Sequence, residues 1–140
     1  MKAENLRILS ENGFSVPKFQ VVNPNEDIDF SHFESELFAV RSNDAHEDGG
    51  KFSYAGQFLT VLNVTKENVK KAVLAVADSY KIRYYEKSLG IKIENNNASV
   101  IIQEMVKASY SGVIFTSNPK GILNDMVIVV GKGLGENVVG

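Results

Sequence analysis

Arg41 is the most informative polar residue in the 140-residue chain. It follows the apolar run Leu37-Phe38-Ala39-Val40 and opens a polar, turn-rich stretch from Ser42 to Ser53. Its guanidinium is therefore expected at a strand end, facing the space which that stretch covers. A guanidinium keeps its charge and presents a fork of donors matched to phosphate oxygens. A structural ion pair with Asp44, Glu47 or Asp48 is the other reading. Lys2 opens a helical pattern, where its ammonium and the free N–H groups of a helix N-terminus would hold a phosphate jointly; a solvated lysine is the alternative. Gly56 lies at the entrance to the next strand, where it admits either a close backbone approach to a ligand or a simple bulge. Thr60, a polar position within that strand, offers its hydroxyl to a phosphate or to a neighbouring strand. Gln103-Glu104 interrupts Val100-Ile101-Ile102 and Met105-Val106. Adjacent side chains leave opposite faces of a strand, so one of the two faces the interior or a cleft. A purine ring is one candidate partner for it, and exposure on an edge strand is the other outcome.

The elements that would position these residues follow from periodicity. Leu6 and Leu9 predict a helix from Lys2 to Asn12, stopped by Asn12-Gly13. Phe19–Val22 and Leu37–Val40 read as strands, the latter terminated by Arg41, and the acidic stretch from Glu26 to Glu36 as a linker or weak helix. Phe58–Val64 is β-rich, and Thr65 offers an N-cap. The long helix that follows carries Val69, Val73, Val76 and Tyr80 on one stripe and stops at Gly90. Three apolar segments complete the chain: Val100–Val106, Val113–Thr116 and Met126–Val130. The class this implies is α+β, with a mixed sheet of at least five strands and flanking helices in one domain.

Composition narrows the function. Hydrophobic residues make up 44% of the chain and charged residues 23%, as in ordinary globular proteins. A net charge of −2 offers no long-range attraction to nucleic acid or to an anionic membrane. Cysteine is absent, which removes disulfides, thiolate metal sites and cysteine nucleophiles and fits a cytoplasmic location. No secretory signal follows Met1, and the longest apolar run, Met126–Val130, is too short to span a bilayer. His32 and His46 stand alone, without metal-ligand spacing. The segment Gly131-Lys132-Gly133-Leu134-Gly135-Glu136 fails the dinucleotide fingerprint, because Glu136 occupies a required glycine position, and it fails the P-loop pattern at Lys132. The stop at Gly140, just after this segment, suggests part of a longer protein.

Seven blocks in order carry a resemblance that covers nearly the whole chain. They are Lys2-x-x-Asn5-Leu6, Gly13-Phe14-x-Val16-Pro17, Phe38-Ala39-Val40-Arg41-Ser42, Tyr54-Ala55-Gly56-Gln57, Gln103-Glu104-Met105-Val106, Ser111-Gly112-Val113-Ile114-Phe115-Thr116-x-Asn118-Pro119 and Gly133-Leu134-Gly135-Glu136-x-Val138-Val139. Together they resemble the N-terminal nucleotide-binding domain of the phosphoenolpyruvate synthase and pyruvate, phosphate dikinase family, a domain that rifampicin phosphotransferases share. The resemblance implies a partial ATP-grasp fold and ATP with Mg2+ as cofactors. It also implies phosphoryl transfer to a histidine on a separate domain, with a further domain that binds pyruvate. Lys2 looks like the family's phosphate-contacting lysine and Arg41 like the arginine that stabilises the transferring phosphates. Gly56 and Thr60 fall where loop and strand touch the phosphates. Gln103, Glu104, Met105 and Val106 resemble the hinge that receives adenine, Glu104 and Val106 through backbone groups. Three departures stand out. No glycine pair precedes Lys2, Phe58-Leu59 places apolar residues before Thr60, and the family's magnesium ligands fall beyond the last block. The chain alone is accordingly expected to be inactive, with neither His32 nor His46 as phosphoryl acceptor. An antibiotic (rifampicin-type) phosphotransferase fragment is one alternative. A non-catalytic domain that binds a partner through Phe58-Leu59 is another.

Overall fold

A computed structural model of the chain describes residues 1–43, 59–87, 99–117, 125–135 and 138, with side chains of the second helix described as far as residue 80. The elements run α1 (Lys2–Glu11), β1 (Phe19–Val22), β2 (Leu37–Ser42), β3 (Thr60–Thr65), α2 (Lys66–Lys87), β4 (Val100–Glu104), β5 (Tyr110–Phe115) and β6 (Val127–Lys132). They fall into two compact units, Met1–Met105 and Val106–Gly140, where length alone suggests one domain.

In the first unit the strands order β1-β4-β2-β3, and each described ladder is antiparallel. One face is apolar because residues two apart on a strand share a face. Val22, Phe38, Val40, Val64, Val100 and Ile102 form a single buried cluster with Val69, Ala72, Val73, Val76, Ala77 and Tyr80 of α2. The helical stripe expected at Val69, Val73, Val76 and Tyr80 is therefore the side of α2 that packs on the sheet. Phe33 and Phe38 close the core edge-to-face, with ring centroids 5.1 Å apart, an arrangement that adds to the burial of the rings.

Two expectations are corrected and one pair of alternatives is decided. The stretch from Glu26 to Glu36 is the linker and not the weak helix. Its side chains bond local backbone instead, Asn23 N–H to Glu26 Oε2 at 2.9 Å and Ser31 N–H to Asp29 Oδ1 at 2.8 Å, which competes with helical bonds. β2 also runs two residues further than Val40. Arg41 pairs with Ile101 on one side and Thr60 on the other, so it lies within a central strand and does not end it. Finally, the α+β class stands, but the described strands form a four-stranded and a two-stranded sheet and all their ladders are antiparallel. The reason is local: β5 and β6 pair along their whole length, from Tyr110↔Lys132 to Phe115↔Val127, and so satisfy one another's backbone. Gly112 belongs to that pairing, since a Cβ there would lie 2.6 Å from the Val129 carbonyl oxygen.

α1 buries little: Ala3 is its one buried residue, while Ile8 and Leu9 are exposed. Its C-terminal stop is well made. Gly13, at φ +82°, donates to Ser10 O at 3.1 Å, and Phe14 N–H donates to Leu9 O at 3.0 Å, the paired bonds of a Schellman cap. A methyl group at Gly13 would meet nothing within 4 Å, so its cost is conformational. Gly13→Ala is expected to lower stability by about 1 kcal/mol in urea unfolding, and Gly13→Asn by less.

Candidate functional site

Lys2, Arg41 and Thr60 lie at the end of the four-stranded sheet where β2 ends, whereas Gln103 and Glu104 lie toward the start of β2, opposite Ala39 and Phe38. Lys2 Nζ donates to Ser42 Oγ at 3.1 Å. Arg41, the residue before Ser42, donates from NH1 to Gln103 Oε1 at 3.2 Å. Thr60 is exposed and sits directly opposite Arg41. Lys2 thus meets β2 at Ser42, while Arg41, the residue before it, has Thr60 opposite and reaches along the sheet to Gln103 of β4; the Arg41 and Ser42 side chains leave opposite faces of the strand. Gly56 lies outside the described residues, as do Asp44, Glu47 and Asp48.

A β-bulge sets the placement of Thr60. Phe38 pairs with Val64 but Val40 with Val61, so Leu62 and Asn63 together oppose Ala39. Asn63 absorbs the extra residue at φ +55°, a left-handed conformation that asparagine tolerates better than most residues. Without the bulge the regular register would put Val61 opposite Arg41. With it, a hydroxyl stands there.

Gln103 and Glu104 resolve differently from the sequence alternatives. β4 is a central strand, so neither residue is at an edge. Gln103 is 7% exposed, and its side chain accepts from Arg41. Glu104 Oε1 accepts the backbone N–H groups of Glu34 at 2.5 Å and Ser35 at 3.0 Å. In these contacts the partners of both side chains are internal, and no purine is needed to satisfy them. Nearby, Lys18 donates to the Glu34 carboxylate, which raises the lysine and lowers the acid from their ordinary pKa values; both are exposed, and such pairs contribute little. Glu104 N–H donates to Lys18 O at 2.9 Å and Met105 N–H to Leu37 O at 3.0 Å. Among the described residues Val106 N–H has no acceptor.

Ser42, Asn43, Tyr80 and Ser99 complete the end of the sheet where β2 ends and escaped sequence reasoning. Ser42 and Asn43 directly follow Arg41, which is the one signal they offered. Tyr80 reads as a core residue on its helical stripe, and nothing marks Ser99. Among the described residues no three His, Cys, Asp or Glu side chains gather in one place. No described helix is long and apolar enough to cross a membrane.

A mixed α+β unit thus carries two cations and a hydroxyl near the end of β2. The chain belongs to the family described as the pyruvate phosphate dikinase AMP/ATP-binding domain, whose model matches residues 2–140. Named relatives agree. A probable phosphoenolpyruvate synthase of Archaeoglobus fulgidus is 37% identical over 72% of this chain and 14% of its own length. The phosphoenolpyruvate synthase of Aeropyrum pernix is 38% identical over 76% of the chain and 14% of its own length. A rifampicin phosphotransferase of a Streptomyces species is 34% identical over 77% and 13%. The matched part of the chain thus spans about a seventh of the length of these relatives.

Proposed function

We propose that this chain supplies part of the ATP site of a dikinase, within an ATP-grasp domain of which residues 1–140 are the N-terminal portion. The phosphoryl group would pass to a histidine on a separate domain on its way to pyruvate, the route that the family resemblance implies; the names of the phosphoenolpyruvate synthase relatives support the product alone. Lys2, Arg41, Thr60 and Gly56 take the phosphates, and Gln103 to Val106 take the adenine. The observation that carries this reading is the anchoring of Lys2 on Ser42 beside Arg41, with Thr60 opposite. Phosphoryl transfer depends on positioning and charge neutralisation more than on covalent chemistry, and an ammonium with a guanidinium provides both. At the adenine end the Glu104 amide is already engaged. Glu104 would therefore contribute its carbonyl oxygen as an acceptor and Val106 its N–H as a donor.

Transfer from ATP also draws on magnesium, whose ligands the family resemblance puts beyond the last matched block. Turnover by the 140-residue chain alone is accordingly expected to stay below about 1 per second, the low end for kinases. The acceptor is set by other parts of the longer protein, so a rifampicin-type phosphotransferase remains the second reading, supported by the Streptomyces relative. A non-catalytic, partner-binding domain is supported only by Leu59, which is 41% exposed; Phe58 lies outside the described residues.

Thermal unfolding with a non-hydrolysable ATP analogue tests the proposal. A ligand that binds the native state at a hundred times its Kd stabilises by about 2.7 kcal/mol, so the melting temperature should climb with analogue concentration. No shift at millimolar analogue, together with no heat in calorimetric titration, overturns the nucleotide reading in favour of the partner-binding one.

A further inference from the structure

Asn43 is 5% exposed and engages all four of its polar groups. Its backbone N–H donates to the Tyr80 hydroxyl at 2.7 Å, and its carbonyl accepts from Ser99 Oγ at 3.3 Å. Its side-chain Nδ2 donates to Ser99 Oγ at 3.0 Å, and Oδ1 accepts the Ala3 N–H at 2.9 Å. The Tyr80 hydroxyl in turn donates to Ser99 O at 3.1 Å. One residue, through its backbone and its side chain, thus ties the first turn of α1, the end of β2, α2 and the residue before β4 at a single point.

We infer that Asn43 is the positioning residue for the two cations: it docks the first turn of α1, and Lys2 with it, onto the end of β2 that carries Arg41 and Ser42. The inference rests on the nucleotide reading in that these cations are the ones that meet phosphate. α1 has little else to hold it, since Ala3 is its one buried residue. Its N-cap, Met1, makes no side-chain cap bond, so an orphan N–H of the first turn finds its acceptor 40 residues away on Asn43. The choice of an amide also matters. A carboxylate would cap a helix N-terminus at least as well, but it would place a negative charge beside Lys2 and Arg41. The neutral amide caps the helix without competing with an anionic ligand for those cations.

The test compares wild type, Asn43→Ala and Tyr80→Phe in the whole chain, each also combined with Lys2→Met, with circular dichroism as the check on folding. The first readout is acylation of Lys2 by acetic anhydride, followed by mass spectrometry with exposed Lys70 as internal reference. The second is affinity for a non-hydrolysable ATP analogue. In Asn43→Ala, Lys2 acylation should rise about threefold or more toward the Lys70 rate while Lys70 stays unchanged. Analogue binding should weaken about tenfold, the scale of a lost bond near a charged group. In the Lys2→Met background the same change should cost less than about twofold, because Asn43 acts through Lys2. Tyr80→Phe removes one oxygen and should move both readouts the same way by less; it carries the test should Asn43→Ala not fold. Unchanged Lys2 acylation in a folded variant overturns the inference, and so does an equal loss of affinity with and without Lys2. Raised acylation with no analogue binding by any variant, wild type included, leaves the docking role standing and removes the nucleotide reading.

Discussion

Arg41→Ala is expected to abolish the rise in melting temperature that an ATP analogue produces, and to weaken analogue binding by about 10- to 100-fold. Hydrogen bonds to charged groups contribute about 1.5–3 kcal/mol each, and 1.4 kcal/mol is a factor of ten in affinity. Arg41→Lys keeps the charge but loses the fork, so it should restore only part of the binding. A second effect runs alongside. Gln103 is 7% exposed and accepts from Arg41, so the alanine variant leaves a buried acceptor without this donor, at a cost of about 1–3 kcal/mol in stability. Replacing both partners, as in Arg41→Ala with Gln103→Leu, should recover most of that stability, because no unmet polar group remains, yet none of the binding. Measured by urea unfolding and calorimetric titration, this pattern separates the ligand role of the arginine from its structural role. Undiminished binding by Arg41→Ala would remove Arg41 from the phosphate site.

Phe38→Ala has the other large expected effect, and it acts on the fold. Phe38 is 0% exposed, and its ring meets Phe33 at 5.1 Å and Phe30 at 5.7 Å, both edge-to-face. Truncating a buried phenylalanine costs about 3–5 kcal/mol through lost transfer energy and a residual cavity. A whole domain is stable by only about 5–15 kcal/mol, so urea midpoints should fall steeply and a visible unfolded fraction should accumulate near physiological temperature. Phe38→Leu should recover more than half of the loss, since most of the volume is refilled. Phe38→Ala also lowers nucleotide binding, but in proportion to the unfolded fraction seen by circular dichroism, whereas Arg41→Ala loses it while folded. A loss under about 1 kcal/mol for Phe38→Ala would mean that the aromatic cluster does not organise the core.

These two residues differ in how well they could be read. Phe38 announces itself in a run of apolar residues, and burial follows from that run wherever the strand lies. Arg41 announces a cation near a strand end, but its described partner is Gln103, 62 positions away, and the acidic neighbours considered for it fall outside the described residues. α1 teaches the converse. Its apolar spacing predicts a helix from Lys2 to Asn12 and the structure has one over Lys2–Glu11, yet Leu9 is exposed, and the anchor of the helix is a distant amide at Asn43.

What the sequence by itself determined is the set of elements, the α+β class, the buried stripe of α2 and, through seven ordered blocks, the family. These are properties of spacing over a few residues, where the helical and strand periods act directly on side-chain direction. Only the tertiary structure decided which polar groups meet. The order β1-β4-β2-β3 makes Gln103 an interior partner, the bulge at Asn63 turns Thr60 instead of Val61 toward Arg41, and Asn43 draws Ala3, Tyr80 and Ser99 together. Each of these pairings depends on register and on strand neighbours far apart in the chain. A hydrogen bond is made or lost over a few tenths of an ångström, whereas hydrophobic burial tolerates such shifts.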